Sequence, residues 1–202
     1  MGKYFNYYDF YNMKSDEQLT IISNFKTYLQ TTKSTCGPAC VLMMLNHYGD
    51  FSLSEMEIAK AVECKIPGGT KIQNIAEFLK SKGYDVQCSI YEKRDENEKI
   101  FSDFLDFRRF VLDNLKKNNP ILVENVDLGG HYRLIIGYDQ VNDENPRQDV
   151  IIFADPAENT SGNTEGYHYD SAYRFYQSWF DDHHLPREHK FQPYIVAMPI
   201  KK

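Results

Sequence analysis

The apolar positions along the chain change period near its middle. From residue 36 to about 115 they recur at helical spacing, and from residue 120 onward they fall in short runs typical of strands. A first helix is predicted from Cys36 to about Tyr48, with Val41-Leu42-Met43-Met44-Leu45 as its buried run and Gly49 as a left-handed stop. Ser52-Leu53-Ser54-Glu55 reads as a capping box opening a second helix, with Met56, Ala59 and Val62 on its inner side. Thr70-Lys71-Ile72-Gln73 repeats the device for a third, whose stripe is Ile72, Ile75, Ala76 and Leu79, ending at Gly83. A strand over Tyr84 to Ile90, a charged connector over Glu92 to Lys99, and a helix carrying Phe104, Phe107, Val111 and Leu115 follow, closed by Asn118-Asn119-Pro120. The later strands are Ile121 to Glu124, His131 to Tyr138, Val150 to Ala154 and Tyr194 to Ile200, with one helix, Ser171 to Asp181, among them. Helices first and strands later is an α+β pattern.

Two segments stand outside this pattern. The aromatic run Tyr4-Phe5-Asn6-Tyr7-Tyr8-Asp9-Phe10-Tyr11 has no period and receives no role; residues 1–24 are read as an N-terminal extension, and 25–202 as one domain with two lobes around a cleft. Asn159 to Gly166 is too polar to pack and is expected to be a loop near the cleft rim.

Length and charge narrow the function classes. A chain of 202 residues with 29 acidic against 23 basic side chains, a formal net charge of -6 and no basic cluster interleaved with aromatics is a poor partner for nucleic acid. No apolar run approaches the roughly 20 residues that span a bilayer, and the N-terminus carries no apolar signal core, so an integral membrane segment is not expected. The chain by itself reads as cytoplasmic, or as secreted or surface-bound if an export signal has been removed. Four cysteines, Cys36, Cys40, Cys64 and Cys88, are too sparse for a disulfide scaffold, and the last three read as packing groups.

Cys36 differs from them by position. Thr35-Cys36-Gly37-Pro38-Ala39 puts its thiol where an irregular segment becomes a helix, and the free N–H groups and dipole there favour a thiolate. Pro38 suits the first turn, and Gly37 allows close approach of backbone to a ligand. Three partners complete a hydrolytic set. His131, at the mouth of a strand, is a candidate base; Asp155, at the exit of the next, is its candidate acceptor; and the amide of Gln30, six residues before the cysteine, is a candidate oxyanion donor.

With these four in order, the chain resembles the bacteriocin-processing, double-glycine type of cysteine peptidase within the papain-like superfamily. The resemblance rests on Gln30 followed by five residues and Cys36-Gly37-Pro38-Ala39, on Gly130-His131-Tyr132, and on Ala154-Asp155-Pro156, and it runs from about Phe25 to the C-terminus. It implies a papain-like fold in which a helical lobe carries the nucleophile, an antiparallel sheet lobe carries the base, and the active cleft lies between them. It also implies a peptide or protein substrate, hydrolysis without a cofactor or metal, and the roles of nucleophile, base, orienting residue and oxyanion donor for Cys36, His131, Asp155 and Gln30. Cleavage after Gly-Gly, acyl transfer on the same residues, and a silent peptide-binding module are the alternatives that the resemblance leaves open. The stretch from Val141 to Asp149 lengthens the hairpin between base and acid beyond that of transporter-linked relatives, a change a hairpin tip absorbs.

The remaining candidates have plainer readings. Ile66-Pro67-Gly68-Gly69-Thr70 is ordinary turn chemistry rather than a substrate site. His47 lies some three turns from Cys36 along its helix, and His168 falls in a polar loop. His183, His184 and His189 lack the spacing of zinc ligands and read as a helix end.

Overall fold

The computed structural model describes residues 8–126, 129–141, 144–157 and 165–200. Among them, five α-helices and seven strands build one antiparallel sheet with helices against it. The helices are α1 (Cys36–His47), α2 (Glu55–Ala61), α3 (Ile72–Ser81), α4 (Phe104–Lys116) and α5 (Ala172–Ser178). The strands are β1 (Leu19–Ile21), β2 (Tyr84–Cys88), β3 (Ile121–Asn125), β4 (His131–Asp139), β5 (Val150–Ala154), β6 (Tyr167–Ser171) and β7 (Tyr194–Pro199). They run in the order β2-β7-β3-β4-β5-β6, with β1 added against β4.

α1 is the hub of the helical side. Every residue from Cys36 to Leu45 is buried, so this helix has no solvent stripe and is held by packing all round. It lies against α2, α3 and β4, which seats its N-terminal cysteine against the strand that carries His131. α3 contributes the buried face Ile72, Ile75, Ala76 and Leu79. Gly37 sits where α1 and α3 come closest: a Cβ there would stand 3.0 Å from Ile75 Cδ1 and 3.3 Å from Tyr132 Cδ2. On the other side, α4 and α5 clamp an aromatic cluster in which Trp179 stacks on Phe175 (5.2 Å between centroids) and meets Phe107 edge-on (5.7 Å).

Several local expectations need correction. The capping box is formed by Ser54 and Glu57, two residues later than predicted, because Ser54 is the residue with extended backbone before the first helical turn. No such device opens α3: its N-cap is Lys71, without a side-chain bond, and Thr70 Oγ1 is buried without a partner. The β2 strand stops at Cys88, where Ser89–Tyr91 turns into a 3-10 helix. α5 is shorter than the predicted Ser171 to Asp181, since Ser171 caps it by accepting from Arg174 N and the chain leaves helical geometry at Trp179. His183 and His184 are accordingly in a bent segment beyond the helix rather than at its end.

Two strands were not anticipated. β6 holds His168, which the sequence assigned to a loop, opposite Phe153. β1 lies on the extension side of the boundary drawn at residue 24, yet pairs Leu19, Thr20 and Ile21 with Asp139, Tyr138 and Gly137. The described part of the aromatic extension also docks on the sheet: Phe10 stacks on Tyr167 at 4.9 Å, and Tyr8 donates to Asp139 Oδ2 at 2.9 Å. Of the predicted polar loop over 159–166, residues 159–164 fall outside the described residues.

Candidate active site

The site is assembled from the first turn of α1 and the adjoining ends of β4 and β5. Cys36 is the first helical residue, so its N–H has no intrahelical acceptor, and the Gly37 N–H points toward its sulfur. β4 begins at His131. The pairing of β4 with β5 matches Leu134 to Ala154, and continuing it by one residue puts Asp155 opposite Arg133, diagonal to His131 and on the same face. A bulge between Ile135 and Gly137 shifts the register farther along the strand, away from this end.

The three side chains form one line of contacts. His131 Nε2 donates to Asp155 Oδ1 at 2.7 Å, and the imidazole hydrogen-bonds the Cys36 sulfur, for which Nδ1 is left. Asp155 Oδ1 also accepts from Ala157 N at 2.9 Å, which fixes the carboxylate from its other side. All three groups are buried, with exposures of 7 %, 7 % and 4 % for Cys36, His131 and Asp155.

Burial and charge oppose each other here, and charge wins. Burial pushes the Cys36 thiol up, but the hydrogen bond and charge of His131, with the N–H groups of Tyr132 and Gly37, hold it below its ordinary value. Burial lowers His131, whereas Asp155 and Cys36 raise it to about 9. Burial raises Asp155, and His131 outweighs that and keeps it low. The arrangement therefore favours a thiolate–imidazolium pair. None of the other cysteines shares this environment. Burial and the neighbouring Cys36 push Cys40 well up, burial raises Cys64, and burial takes Cys88 to about 11.

Gln30 is tied to the same end of the sheet by its backbone, whose N–H donates to Pro156 O at 2.8 Å. Its side-chain Nε2 donates to Thr32 O at 2.7 Å, and Oε1 is buried without a partner. The structure thus brings Cys36, His131 and Asp155 together and ties the Gln30 backbone to the residue after Asp155; among the described residues the Gln30 amide bonds Thr32 O rather than the other three. The loop is held by Glu55, a buried carboxylate at the start of α2 that accepts from Thr31 N at 3.0 Å and from the Thr31 hydroxyl. Two other histidines stand outside this line: His47 Nε2 bonds Asn118 O at 2.8 Å, and His168 sits half-buried on β6, near enough to Asp155 and His131 to feel their charge.

Cys36 opens onto a cleft of about 1050 Å³ whose walls include Lys33, Gly69, Thr70, Tyr132 and His184. The Pro-Gly-Gly turn forms part of its rim, closed by paired backbone bonds between Lys65 and Gly69 at 2.8 Å. One feature of the wall escaped the sequence reading. Glu124 from β3 and Asp181 and His184 from one segment beyond α5 present ligand atoms within 4.8 Å of one another. Burial and the nearby Asp181 charge push Glu124 up to about 8. The available signal was a glutamate inside the otherwise apolar strand Ile121-Leu122-Val123-Glu124.

Comparison with known proteins fixes the family. The profile of the Peptidase_C39 like family matches residues 22–184. This chain belongs to that family. A search of the curated proteins gave no match. Among solved structures, the chain resembles the peptidase domain of Streptococcus ComA, a bifunctional ABC transporter involved in quorum sensing. The TM-score is 0.57 at 18 % identity, covering 88 % of this chain and all of that one. It also resembles a double-glycine-motif protease from an AMS/PCAT transporter in complex with the leader peptide, with a TM-score of 0.51 at 13 % identity, covering 86 % and 91 %. At these identities the likeness concerns the fold: the C39-like domain has the predicted α+β architecture of papain-like peptidases, with the cysteine-bearing helix packed on the antiparallel sheet. Among the described residues, no helix is long and apolar enough to cross a membrane.

Proposed function

We propose that this C39-like domain is a cysteine peptidase that hydrolyses a peptide bond through Cys36, His131 and Asp155, with Gln30 and the Cys36 N–H as oxyanion donors. The observation that carries this reading is the buried line from Asp155 through His131 to Cys36, with a 2.7 Å bond at its carboxylate end and a thiol held below its ordinary pKa. Family membership and the likeness to peptidase domains support it.

The chemistry follows from the geometry. The thiolate attacks the substrate carbonyl carbon, the carbonyl π pair moves onto oxygen, and a tetrahedral oxyanion forms. The Cys36 N–H and the second Nε2 hydrogen of Gln30, the one not given to Thr32 O, are the donors for that charge, each worth on the order of 3 kcal/mol. Collapse of the intermediate breaks the C–N bond while His131 gives its Nδ1 proton to the leaving amine. Water then attacks the thioester, His131 takes its proton, and the acid leaves with the thiolate restored. Asp155 holds the ring orientation throughout and stabilises the imidazolium between transfers.

The substrate is a peptide or protein segment threaded through the cleft beside Cys36. Cleavage after Gly-Gly is the specificity suggested by the double-glycine-motif protease whose fold this chain shares. Incubation with peptides of defined sequence, with and without Gly-Gly, followed by mass spectrometry, tests both points. Cleavage at one bond by the parent chain and none by Cys36→Ala is expected. Equal cleavage by both proteins overturns the assignment.

A further inference from the structure

Outside the hydrolytic line, the cleft wall holds a buried carboxyl with an unpartnered oxygen, Glu124. It is 4 % exposed and sits on β3, where its carboxyl shares a side-chain hydrogen bond with Tyr132, whose hydroxyl also lies 3.0 Å from Thr70 O. Its Oε2 has no hydrogen-bond partner. Across from it is a second buried carboxylate, Asp181, whose Oδ1 accepts from the N–H groups of His183 (2.9 Å) and His184 (2.8 Å) and whose Oδ2 faces His184 Nδ1 at 3.0 Å. Among the described residues, no lysine or arginine pairs with either carboxylate. Burial and the Asp181 charge hold a proton on Glu124 at neutral pH, and its Oε2 is left without a partner.

We propose that Glu124, Asp181 and His184 form a site for a divalent cation of the zinc or manganese class on the wall of the cleft. Two carboxylate oxygens and one imidazole nitrogen are the donor set such ions take, with open positions left for water. Donors around one ion lie about 2.0–2.2 Å from it, so neighbouring donors stand roughly 3.0–3.6 Å apart in octahedral or tetrahedral coordination. The His184 and Asp181 atoms, at 3.0 Å, already meet that spacing, and the widest pair, within 4.8 Å, closes by side-chain motion of about 1 Å. The ion takes the place of hydrogen on the His184 nitrogen facing Asp181, the neutral ring keeping its proton on the other nitrogen, and the proton that Glu124 holds at neutral pH leaves to solvent.

The backbone is arranged to present these groups. Asp181 N donates to Lys190 O at 2.7 Å and Val126 N to Phe180 O at 3.0 Å, tying the histidine segment to the end of β3. His184 lies flat against Gly130, the residue before His131. Gly130 has φ +91°, and a Cβ on it would come within 2.7 Å of the His184 ring. Glycine is therefore required there both for the left-handed backbone and for the ring's approach. An ion held by His184 fixes the segment that packs on the start of β4 and gives Glu124 Oε2 the partner it lacks.

The test uses Cys36→Ser, which removes the competing thiolate, and reads metal uptake rather than turnover, so its outcome is separable from the peptidase reading. Titration with Co²⁺, followed by absorbance and by zinc competition, is expected to give one ion per chain with ligand-field bands and no thiolate charge-transfer band. Glu124→Gln and His184→Ala are each expected to weaken binding by about tenfold or more, since loss of even an outer-shell partner costs that much. His183→Ala and His189→Ala are expected to bind as the parent does. His184 is half-exposed, so its variant decides the matter if Glu124→Gln fails to fold. Absence of uptake in excess metal, or uptake indifferent to both Glu124→Gln and His184→Ala, overturns the proposal.

Discussion

Replacing Asp155 by asparagine isolates the charge in the site while keeping its shape. The amide oxygen can still accept from His131 Nε2 and from Ala157 N, so the 2.7 Å geometry has no steric reason to change. What disappears is the negative charge that favours imidazolium. His131 is raised from its ordinary 6.5 to about 9, a preference worth about 3 kcal/mol. Asp155 stands ahead of Cys36 in both hydrogen bond and charge, so more than half of the raising effect, on the order of 2 kcal/mol, is its own. Loss of about 2 kcal/mol lowers the imidazolium titration by about 1.5 pH units, which predicts a fall of roughly tenfold in kcat/KM at about pH 8.5 and a small one at neutral pH. The assay is peptide hydrolysis across pH, paired with thiolate absorbance in the ultraviolet. In Asp155→Asn the alkaline limb of the activity profile moves to lower pH, and the thiolate signal at neutral pH shrinks. A variant whose thiolate titration matches that of the parent refutes the claim that Asp155 charges His131.

Other expectations follow from the same contacts. In the parent chain, activity falls as pH rises through about 9, where His131 loses its proton. Because its folded pKa lies above its ordinary one, the stability His131 contributes is complete below about pH 6.5 and is lost through the same rise; denaturant titrations at several pH values check the sign. Gly37→Ala forces a Cβ to within 3.0 Å of Ile75 Cδ1, which is expected to cost about 1–3 kcal/mol and to move Tyr132 away from the sulfur, read as a lower melting temperature together with slower turnover. Glu55→Ala removes the buried acceptor of the exposed Thr31, whose donors then turn to water, at a cost of about 1 kcal/mol. For a chain of this size that lowers Tm by roughly 2–4 °C, and the loosened Gln30 loop lowers kcat more than it raises KM.

The sequence reached the parts of this structure whose signals are local. α1, α3 and α4 follow from unbroken helical stripes, and β4 and β5 from apolar runs bounded by turns, so the elements carrying Cys36, His131 and Asp155 were legible. β1 and β6 were not. A three-residue strand has too few positions to display a period, and Tyr167-His168-Tyr169-Asp170-Ser171 pairs on one side only, with a polar composition that reads as loop. Capping also misled, because Ser52 and Ser54 both precede glutamates three residues or fewer away, and only the backbone decides which becomes the cap. The Glu124, Asp181 and His184 group was invisible for a different reason. Its members are 57 and 3 positions apart along the chain, and only the pairing of Val126 with Phe180 brings their segments together.

The central claim is that the sulfur of Cys36 is an anion stabilised by His131, and brief alkylation near neutral pH with site-resolved mass spectrometry tests it most directly. Exposure alone favours Cys64, which is half-buried, over Cys36, which is 7 % exposed. The account predicts that Cys36 is modified first and that His131→Ala abolishes its advantage. Labelling of Cys64 ahead of Cys36, or rapid labelling of Cys36 unaffected by the loss of His131, contradicts it.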